Sequence, residues 1–485
     1  MANEMMNNVY ELFLLASSDK ISSGRIAFAD KEKEISYLEA KERIESVALY
    51  LKRKNIVRQP IIVPVDRSVS VPLLFLGIAA SNNYYVPLAE NTPKERLKDI
   101  IEIGEIKYTF GKEEGLISLS LEDALKEQAS EEERNELKRD YHKNNPLYLR
   151  FTSGSTGKPK GVLKSNGNVL AFVENFKETF PEIKEGQKIA NQTPFSFDAS
   201  AKDIYLSIGL KSTLYIPPKE VFSLPNKSVD YLNEKKITWI RWVPSALVLI
   251  ARLRVLKFVK PRYLKYVFFI GEVFPVKYFN EWYTALPDIR YVNWYGSTEV
   301  SGACLYAKLD HCYKEEEPLP IGKPLKNNHV FLKDGEIIIE SDQVALGYIK
   351  DKERNDKTFV KEDGKIYLHT GDFGQIDDSG NIIFRSRRDF QIKHLGYRIE
   401  LQDIEAQVRT LSYRVNCCCL YVKEKIILVA VLNQEEKKGA SDILQDLKPI
   451  LASYRRPNRV VILDHLPLNA NGKVDRVLLK QEREK

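Results

Sequence analysis

The alternation of apolar and polar positions along the chain predicts a layered protein of strands and helices. Short apolar runs rich in branched or aromatic residues occupy positions 61–65, 84–88, 267–270 and 337–339, as buried strands do. Longer segments of helical period separate these runs. Strands that alternate with such helices are typical of α/β folds. The pattern therefore predicts a multi-lobed α/β protein, and the sequence contains no internal repeat that would indicate a solenoid.

Two changes in residue pattern along the chain indicate how it is organised. Between 112 and 145 the sequence becomes dense in charges, which predicts solvated helix or loop before the next strand. The pattern changes again near 386–389, and the segment that follows is predicted to have strands and helices of its own. Length alone allows about two or three folding units, at roughly one per 150 residues. We therefore predict a large N-terminal domain over residues 1–387 and a small C-terminal domain over residues 390–485.

Composition limits the partners of the chain. Of its 485 residues, 43% are hydrophobic and 29% charged, as in proteins that fold throughout. The longest apolar stretches, such as 71–80, are shorter than the ~20 residues of a membrane-spanning helix, and the N-terminus lacks a signal-peptide pattern. The net charge of +7 is spread along the chain without an arginine-rich tract. We therefore expect no membrane and no nucleic acid as partner. The mild basic excess would suit an acidic protein partner.

The cysteines indicate a reducing compartment. They are Cys304, Cys312, Cys417, Cys418 and Cys419. None has the paired spacing of a zinc site or a redox motif. Adjacent residues of a strand point to opposite faces, so the run at 417–419 predicts small buried side chains. We expect reduced thiols in a cytoplasmic protein.

A glycine-rich loop is the segment with the clearest chemistry. Positions 148–162 have the sequence YLRFTSGSTGKPKGV, an apolar strand followed by a loop of Gly, Ser and Thr that ends at Lys160. Bare backbone N–H groups, hydroxyls and an ammonium suit phosphate oxygens, although a loop of this composition can also be a flexible turn. In a Walker A motif the lysine precedes Ser or Thr at the start of a helix. Lys158 precedes Pro159 instead, so a P-loop NTPase is disfavoured.

Further motifs accompany this loop over nearly the whole chain. They are ISYLEA at 35–40, YYVPLAENTPKERL at 84–97, FDAS at 197–200, NWYGSTE at 293–299, TGD at 370–372, RRDFQIKHLGYRIEL at 387–401 and NGKVDR at 471–476. With them the sequence resembles the adenylate-forming superfamily, which includes adenylation domains of nonribosomal peptide synthetases, acyl-CoA synthetases, luciferases and D-alanine:carrier protein ligases. The resemblance implies a large N-terminal domain of α/β layers with a small β-barrel-like part, a small mobile α+β C-terminal domain, and the cofactors ATP and Mg²⁺.

The resemblance also implies a nucleotide site. The triphosphate-binding loop corresponds to Thr152, Ser153, Gly154, Ser155, Thr156, Gly157 and Lys160. The rest of the ATP site corresponds to Asn293, Trp294, Tyr295, Gly296, Ser297, Thr298, Asp372 and Arg387, and the Mg²⁺ ligand to Glu299. Taken alone, Tyr295 could be a core aromatic, Asp372 a turn residue and Glu299 an acidic residue at a helix start. Taken together, the three residues favour the nucleotide site. Ser297 stands where the family usually has proline and Ser386 where it usually has glycine, for which we expect altered loop stiffness.

The C-terminal motifs contain the catalytic residue and the hinge that the resemblance implies. Lys473 in NGKVDR matches the lysine that bridges the substrate carboxylate and the α-phosphate, where two anions must meet. An isolated lysine near a C-terminus is otherwise solvated surface. Asp389 matches the hinge position, so residues 388–389 are the predicted hinge about which the small domain moves between adenylation and thiol transfer.

One aspartate favours a branch of the superfamily. Amino-acid-activating members place an aspartate at the position of Asp198 to hold the substrate's α-ammonium, whereas an acyl pocket would leave it unpaired. The resemblance then implies formation of an aminoacyl-adenylate with release of pyrophosphate, and thioester transfer to the phosphopantetheine of a separate carrier protein, since the chain ends at Lys485. An acyl-CoA synthetase-like ligase of a non-amino-acid carboxylate is one alternative. An inactive nucleotide-binding regulator is another, but it would require loss of Lys473, Asp372 or Glu299.

The lining of the side-chain pocket is carried over from the family by spacing. It comprises Asp198, Ala199, Lys202, Arg241, Phe268, Ile270, Trp294, Gly302 and Ala303. Lys202 and Arg241 put two cations where a D-alanine site would have small or apolar residues. Internal pairing with Asp203 or Glu272 is one explanation, and the other is a substrate carboxylate held by a bidentate Arg241. We predict an acidic amino acid, such as aspartate or glutamate, ahead of alanine or serine.

Overall fold

A computed structural model describes residues 6–138, 140–152, 159–314, 317–387, 391–411, 413, 415–432, 438–467 and 474–484. Its α-helices, in chain order, are α1 (Val9–Ser18), α2 (Tyr37–Arg53), α3 (Ser70–Ala80), α4 (Lys94–Gly104), α5 (Leu121–Ala124), α6 (Glu131–Leu137), α7 (Asn166–Thr179), α8 (Ala199–Gly209), α9 (Pro225–Glu234), α10 (Pro244–Arg252), α11 (Val276–Ala285), α12 (Lys352–Thr358), α13 (Leu401–Val408), α14 (Ala440–Asp446) and α15 (Arg476–Glu484). Short 3-10 helices span Lys219–Phe222, Val255–Lys257 and Ser453–Arg455.

The strands alternate with these helices, as the hydrophobic pattern predicts. In chain order they are β1 (Ile26–Ala29), β2 (Glu34–Ser36), β3 (Pro60–Val65), β4 (Tyr84–Ala89), β5 (Tyr108–Thr109), β6 (Ile117–Ser118), β7 (Pro146–Thr152), β8 (Lys160–Ser165), β9 (Lys188–Asn191), β10 (Thr213–Tyr215), β11 (Trp239–Trp242), β12 (Tyr266–Ile270), β13 (Arg290–Tyr295), β14 (Leu305–Leu309), β15 (Lys323–Pro324), β16 (His329–Lys333), β17 (Glu336–Glu340), β18 (Gly347–Tyr348), β19 (Phe359–Glu362), β20 (Lys365–Ile376), β21 (Ile382–Arg387), β22 (Gln391–His394), β23 (Tyr397–Glu400), β24 (Val415–Val422), β25 (Lys425–Leu432) and β26 (Arg459–Ile462). The four predicted strands are β3, β4, β12 and β17.

The chain divides into two compact units. The first contains the described residues of 1–90, 101–150 and 161–386, and the second those of 91–100, 151–160 and 387–485. The last boundary therefore falls between Ser386 and Arg387. Residues 388–389, where the sequence predicts a hinge, lie outside the described residues.

Two large sheets form the framework of the first unit. Among the described residues, one sheet has nine strands in the order β15-β14-β13-β12-β11-β9-β10-β1-β2. Its neighbours from β13 to β1 are parallel, and β14, β15 and β2 pair antiparallel. The other sheet has the order β18-β8-β7-β4-β3-β5-β6. Parallel strands require crossover connections, and helices supply them here.

Helix α8 is buried along almost its whole length. Every residue from Ser200 to Gly209 is buried, including Lys202 and Asp203. A helix without a solvated face has no water for its charged side chains, so these must find partners inside the protein. The charged residues of α8 are therefore held in fixed positions at the site described below.

Two segments with distinctive composition contain helices. The charge-dense segment forms α5 and α6, and α6 begins at a capping box in which Ser130 and Glu133 each accept the other's backbone N–H. The apolar stretch at 71–80 lies in α3 and is buried in the core of the first unit. Among the described residues, no helix combines the length and the apolar character that a membrane span requires.

The smaller sheets account for the rest of the predicted architecture. The β-barrel-like part corresponds to β16-β17-β20-β19 with β21 on β20, and these described strands follow an open path and not a closed barrel. In the second unit, β24 pairs antiparallel with β25, and β25 pairs parallel with β26.

The three adjacent cysteines lie on β24 as small buried side chains, as predicted. Cys417 and Cys419 belong to one apolar cluster and Cys418 to another, because successive residues of a strand point to opposite faces. All three thiols are free and buried. Burial raises the pKa of Cys417 to about 12 and that of Cys418 to about 11, so both remain protonated at neutral pH.

Candidate active site

The predicted site residues of the first unit follow the carboxyl ends of parallel strands. Asp198 follows β9, Ile270 ends β12 and Gly296 follows β13. These strands run in the same direction in one sheet, so their carboxyl ends share an edge. Ligands of open α/β sheets bind at this edge. It is therefore the candidate active site.

Asp198 is surrounded by two lysines and a tyrosine. Its Oδ1 accepts hydrogen bonds from the Tyr148 hydroxyl and from the Lys164 ammonium, each at 2.9 Å. Its Oδ2 lies 3.6 Å from Nζ of Lys202, four residues later on α8. The side chain of Lys164 is fully buried, and those of Asp198 and Lys202 are 9% and 6% exposed. Two buried ammonium groups thus share one carboxylate.

Burial and charge together set the protonation of this cluster. Burial alone would raise the pKa of Asp198, but neighbouring cations hold it below its usual value. These cations are Lys164, Lys202 and Arg150. Burial lowers the pKa of Lys202 to about 7, although Asp198 opposes this shift. Asp198 is therefore an anion at neutral pH, and Lys202 is near its midpoint.

Arg241 on β11 pairs with Asp203 of α8. Its Nε and Nη2 each lie 2.6 Å from a carboxylate oxygen of Asp203, and Nη2 also donates to the Thr193 hydroxyl at 3.2 Å. Glu272 accepts the backbone N–H of Ser245 at 2.9 Å. Internal pairing, one of the two explanations open from the sequence, is what the structure shows. Asp203 occupies the Nε and Nη2 side of the guanidinium. The other explanation, a substrate carboxylate held by Arg241, stays a prediction.

The nucleotide motif brings together residues of β13 and β20. The hydroxyl of Tyr295 donates to Oδ2 of Asp372 at 2.5 Å, and both side chains are buried. Burial, and then the charge of Asp372, raises the pKa of Tyr295 well above its usual value, so the phenol remains a donor. Asn293 donates its side-chain amide to the carbonyl of Pro320 at 2.8 Å. The structure thus places a buried carboxylate and a tyrosine at the end of β13.

Glu299 lies in the turn after β13. Its Oε1 accepts a hydrogen bond from the Tyr348 hydroxyl at 2.6 Å, and its side chain is buried. The preceding Ser297 and Thr298 are half-buried. A carboxylate oxygen is a hard ligand suited to Mg²⁺, and an ion that binds with phosphates requires only one or two protein carboxylates. Glu299 fits such an ion.

A family model covers most of the chain that carries this site. The family is described as AMP-binding enzyme, and its model matches residues 16–349. The chain belongs to the AMP-binding enzyme family. The resemblance drawn from the motifs, and the prediction that the chain is an enzyme, are confirmed.

This AMP-binding enzyme is similar in sequence to proteins named D-alanine--D-alanyl carrier protein ligase. The one from Staphylococcus haemolyticus is 31% identical over 465 residues, which cover 93% of this chain and 95% of the relative. The one from Listeria monocytogenes is 31% identical over 491 residues, which cover 92% of this chain and 94% of the relative. The similarity therefore extends over nearly the whole length of both proteins.

Solved structures of adenylation domains share its fold. The Vibrio cholerae adenylation domain AlmE, in complex with glycyl-adenosine-5'-phosphate, has a TM-score of 0.83 at 19% identity, over 100% of this chain and 99% of its own. NpsA-ThdA from Klebsiella oxytoca, an artificially fused adenylation-PCP di-domain, has a TM-score of 0.80 at 19% identity, over 95% and 94%. The predicted α/β fold class of the AMP-binding enzyme is confirmed.

The predicted apolar lining residues lie on neighbouring strands of the large sheet. Arg241 is the register partner of Phe268, and Ile270 is that of Trp294. The rings of Phe268 and Trp294 lie 4.5 Å apart, and both are buried. With Ile270 and Ala303 they belong to one apolar cluster. These residues are packed together in the core. That they contact the substrate side chain stays a prediction.

Two small predicted residues have different surroundings. Gly302 has a φ of +76°, and a Cβ at this position would overlap the ring of Phe172. Only glycine fits there without displacing the ring. Ala199 is the half-buried first residue of α8, directly after Asp198.

The remaining predicted residues fall in the second unit or outside the description. Thr152 ends β7 and Arg387 ends β21. Lys160 begins β8, and its buried ammonium lies 2.7 Å from Oε1 of Glu400, a pair that the sequence does not predict. The residues outside the described part of the chain are Ser153, Gly154, Ser155, Thr156, Gly157, Asp389 and Lys473. Their roles stay predictions.

Two residues of the site were missed by sequence reasoning. Tyr148 and Lys164 both bind Asp198, from β7 and β8. Lys164 shares a face of its strand with Val162, two positions earlier, and Val162 is buried. A lysine is rarely buried unless it is paired. The position of Lys164 on the same strand face as an apolar residue is the sequence signal that could have predicted a buried, paired lysine.

Proposed function

We propose that this enzyme activates an amino acid with ATP and transfers the acyl group to the phosphopantetheine thiol of a separate carrier protein in the cytoplasm. The observation that carries the proposal is the position of Asp198, a buried carboxylate suited to an α-ammonium, at the same sheet edge as the nucleotide motif after β13. Relatives named D-alanine--D-alanyl carrier protein ligase support the amino-acid substrate and the carrier.

The reaction has two steps that use one site. A carboxylate oxygen of the amino acid attacks the α-phosphorus of ATP, and the bond to pyrophosphate breaks. The thiol sulfur then attacks the acyl carbon, the C–O bond to AMP breaks, and the thiol proton passes to solvent. Negative charge gathers on phosphate oxygens in the first step, so fixed cations and donors lower its barrier.

Each nucleotide residue has a proposed role. Asp372 accepts the ribose hydroxyls while Tyr295 holds its carboxylate in place and stacks on adenine, and Arg387 reaches the ribose. Asn293 bonds the adenine edge. Glu299 holds Mg²⁺, which neutralises phosphate charge when it is bound.

The glycine-rich loop, the hinge and Lys473 complete the proposal. The loop from Thr152 to Gly157, with Lys160, binds the triphosphate. Lys473 joins the two anions during the first step, and residues 388–389 are the hinge of a domain movement between the steps.

Exchange of radioactive pyrophosphate into ATP tests the first step, and thioester formation tests the second. We expect exchange with amino acids but not with hexanoate, and transfer to a phosphopantetheinylated carrier but not to coenzyme A. Exchange with hexanoate and transfer to coenzyme A would instead identify an acyl-CoA synthetase-like ligase.

The Tyr295→Phe substitution is expected to raise the KM for ATP about 10- to 100-fold and to leave kcat nearly unchanged. The phenol donates a buried hydrogen bond to a carboxylate, and such bonds contribute about 1.5–3 kcal/mol. Initial rates of pyrophosphate exchange at varied ATP concentration measure the change. Tyr263→Phe, at an exposed tyrosine, is the matched control. An unchanged KM for ATP would show that Tyr295 does not position the nucleotide-binding carboxylate.

A further inference from the structure

The charges around Asp198 do not balance. Lys164 lies 2.9 Å from its Oδ1, and Lys202 lies 3.6 Å from its Oδ2. A third cation, Arg150, is buried close enough to lower the pKa of Asp198, and its Nη1 donates to the carbonyl of Phe195. Three buried basic groups therefore act on Asp198, while Asp203 also acts on Lys202 and Glu299 on Lys164. Burial of this charge is costly, so Lys202 is only partly protonated at neutral pH, and an additional anion beside it would favour its charged form.

The other nearby carboxylates are engaged elsewhere. Asp203 is bound by Arg241 through two nitrogens. Glu299 accepts a hydrogen bond from Tyr348 and is the proposed Mg²⁺ ligand. Among the described residues, Lys202 has no carboxylate other than Asp198 within 4.0 Å. The described part of the protein therefore provides no second carboxylate within this distance of Lys202.

A neutral amino acid cannot provide it either. The single carboxylate of such a substrate is the reacting group and is directed to the α-phosphate. Its α-ammonium would become a third ammonium at Asp198, beside Lys164 and Lys202. An amino acid with a carboxylate in its side chain brings both a cation for Asp198 and an anion for a lysine.

We propose that the pocket selects an amino acid with a side-chain carboxylate, which Lys202 binds while Lys164 holds Asp198 in place. Oδ1 of Asp198 is bonded to Lys164 and Tyr148, and Oδ2 receives the α-ammonium. The inference rests on the proposed function and assigns its substrate class. The acidic substrate predicted from the sequence is thus retained with Lys202, in place of Arg241, as the binding residue.

The protonation of Lys202 predicts how the affinity for an acidic amino acid changes with pH. The charged and titratable groups that act on it are Asp198, Asp203, Lys164, Arg241 and Cys304. Burial lowers the pKa of Lys202 to about 7, so above pH 7 the amine is mostly neutral in the free protein. A carboxylate favours the protonated form. Binding of an acidic amino acid above pH 7 therefore takes up a proton, and the affinity decreases as the pH rises.

The test compares aspartate and glutamate with alanine and serine, each as both enantiomers. Pyrophosphate exchange measures activation, and calorimetry at pH 7.5 in two buffers of different ionisation enthalpy measures affinity and proton uptake. The variants are Lys202→Met, which keeps the length of the side chain without its charge, and Lys202→Arg, which keeps the charge. Lys227→Met, at an exposed lysine of α9, is the control. Thermal unfolding of each variant establishes that it is folded.

We expect an acidic amino acid to bind with proton uptake and to be activated in preference to alanine. Lys202→Met should lower its affinity about 10- to 100-fold and abolish the uptake, whereas Lys202→Arg and Lys227→Met should keep the preference. Preferential activation of alanine that is insensitive to Lys202→Met would overturn the inference and leave the proposed function intact. Binding of an acidic amino acid through Lys202 without any exchange would overturn the proposed function and leave the binding role of Lys202 intact. Absence of both binding and exchange would overturn the proposed function and the inference together.

Discussion

The Asp198→Ala substitution is expected to abolish amino-acid activation and to lower the free energy of unfolding by about 3–5 kcal/mol, the usual effect of removing one partner of a buried ion pair. Asp198 is the counterion of Lys164, whose side chain is fully buried, and it lies 3.6 Å from Lys202. Without it, the ammonium of Lys164 would remain in a site that excludes water. Pyrophosphate exchange measures the first effect, and denaturation with urea measures the second.

A double variant separates the two effects. In Asp198→Ala with Lys164→Met, no fully buried ammonium is left without its partner, so most of the stability should return while activation stays absent. Asp230→Ala, at an exposed aspartate of α9, is the control for stability. If the single variant were as stable as the wild type, Lys164 would not depend on Asp198 for its charge.

Local features of the fold could be predicted from the sequence. The apolar runs that become β3, β4, β12 and β17 are strands because their side chains fill both faces of a layer. The charge-dense segment is helical at the surface because Ser130 and Glu133 cap α6. Each motif is itself a short segment, and together the motifs identified the family. These features depend on residues that are near each other in the chain.

The charge pairs of the site could not be predicted in the same way. Arg241 and Asp203 are 38 positions apart, and Lys164 and Asp198 are 34 apart. The sequence identified Asp203 as a possible partner but could not decide between it and a ligand, because both satisfy a buried guanidinium equally well. The register of β11 and the burial of α8 bring Arg241 and Asp203 together.

The pair of Lys160 and Glu400 is the most distant example. These residues are 240 positions apart, and the glycine-rich loop by itself assigns Lys160 to phosphate. A buried ion pair at 2.7 Å shows that this ammonium has a protein counterion in the structure. If Lys160 also binds a triphosphate, the phosphate charge must replace or supplement that of Glu400.

The Lys473→Ala substitution is expected to lower the rate of adenylate formation about 100- to 1000-fold, the effect of removing one preorganised charge from a transition state. The substrate carboxylate and the α-phosphate are both anions, and they repel each other as they approach bonding distance. A lysine that contacts both offsets this repulsion in the transition state, so its loss should affect kcat while ATP binding is largely retained. Single-turnover formation of the adenylate measures the rate, and calorimetry measures ATP binding.

Two comparisons make the Lys473 result specific. Lys480→Ala, at an exposed lysine of α15, removes the same charge from the same region of the chain and should leave the rate unchanged. The rate at which a preformed adenylate is transferred to the carrier thiol should also stay close to that of the wild type, because no second anion approaches the acyl carbon in that step. Adenylate formation at the wild-type rate in Lys473→Ala would assign the joining of the two anions to another cation, and buried Lys164 and Lys202, which already lie beside Asp198, would be the first to substitute.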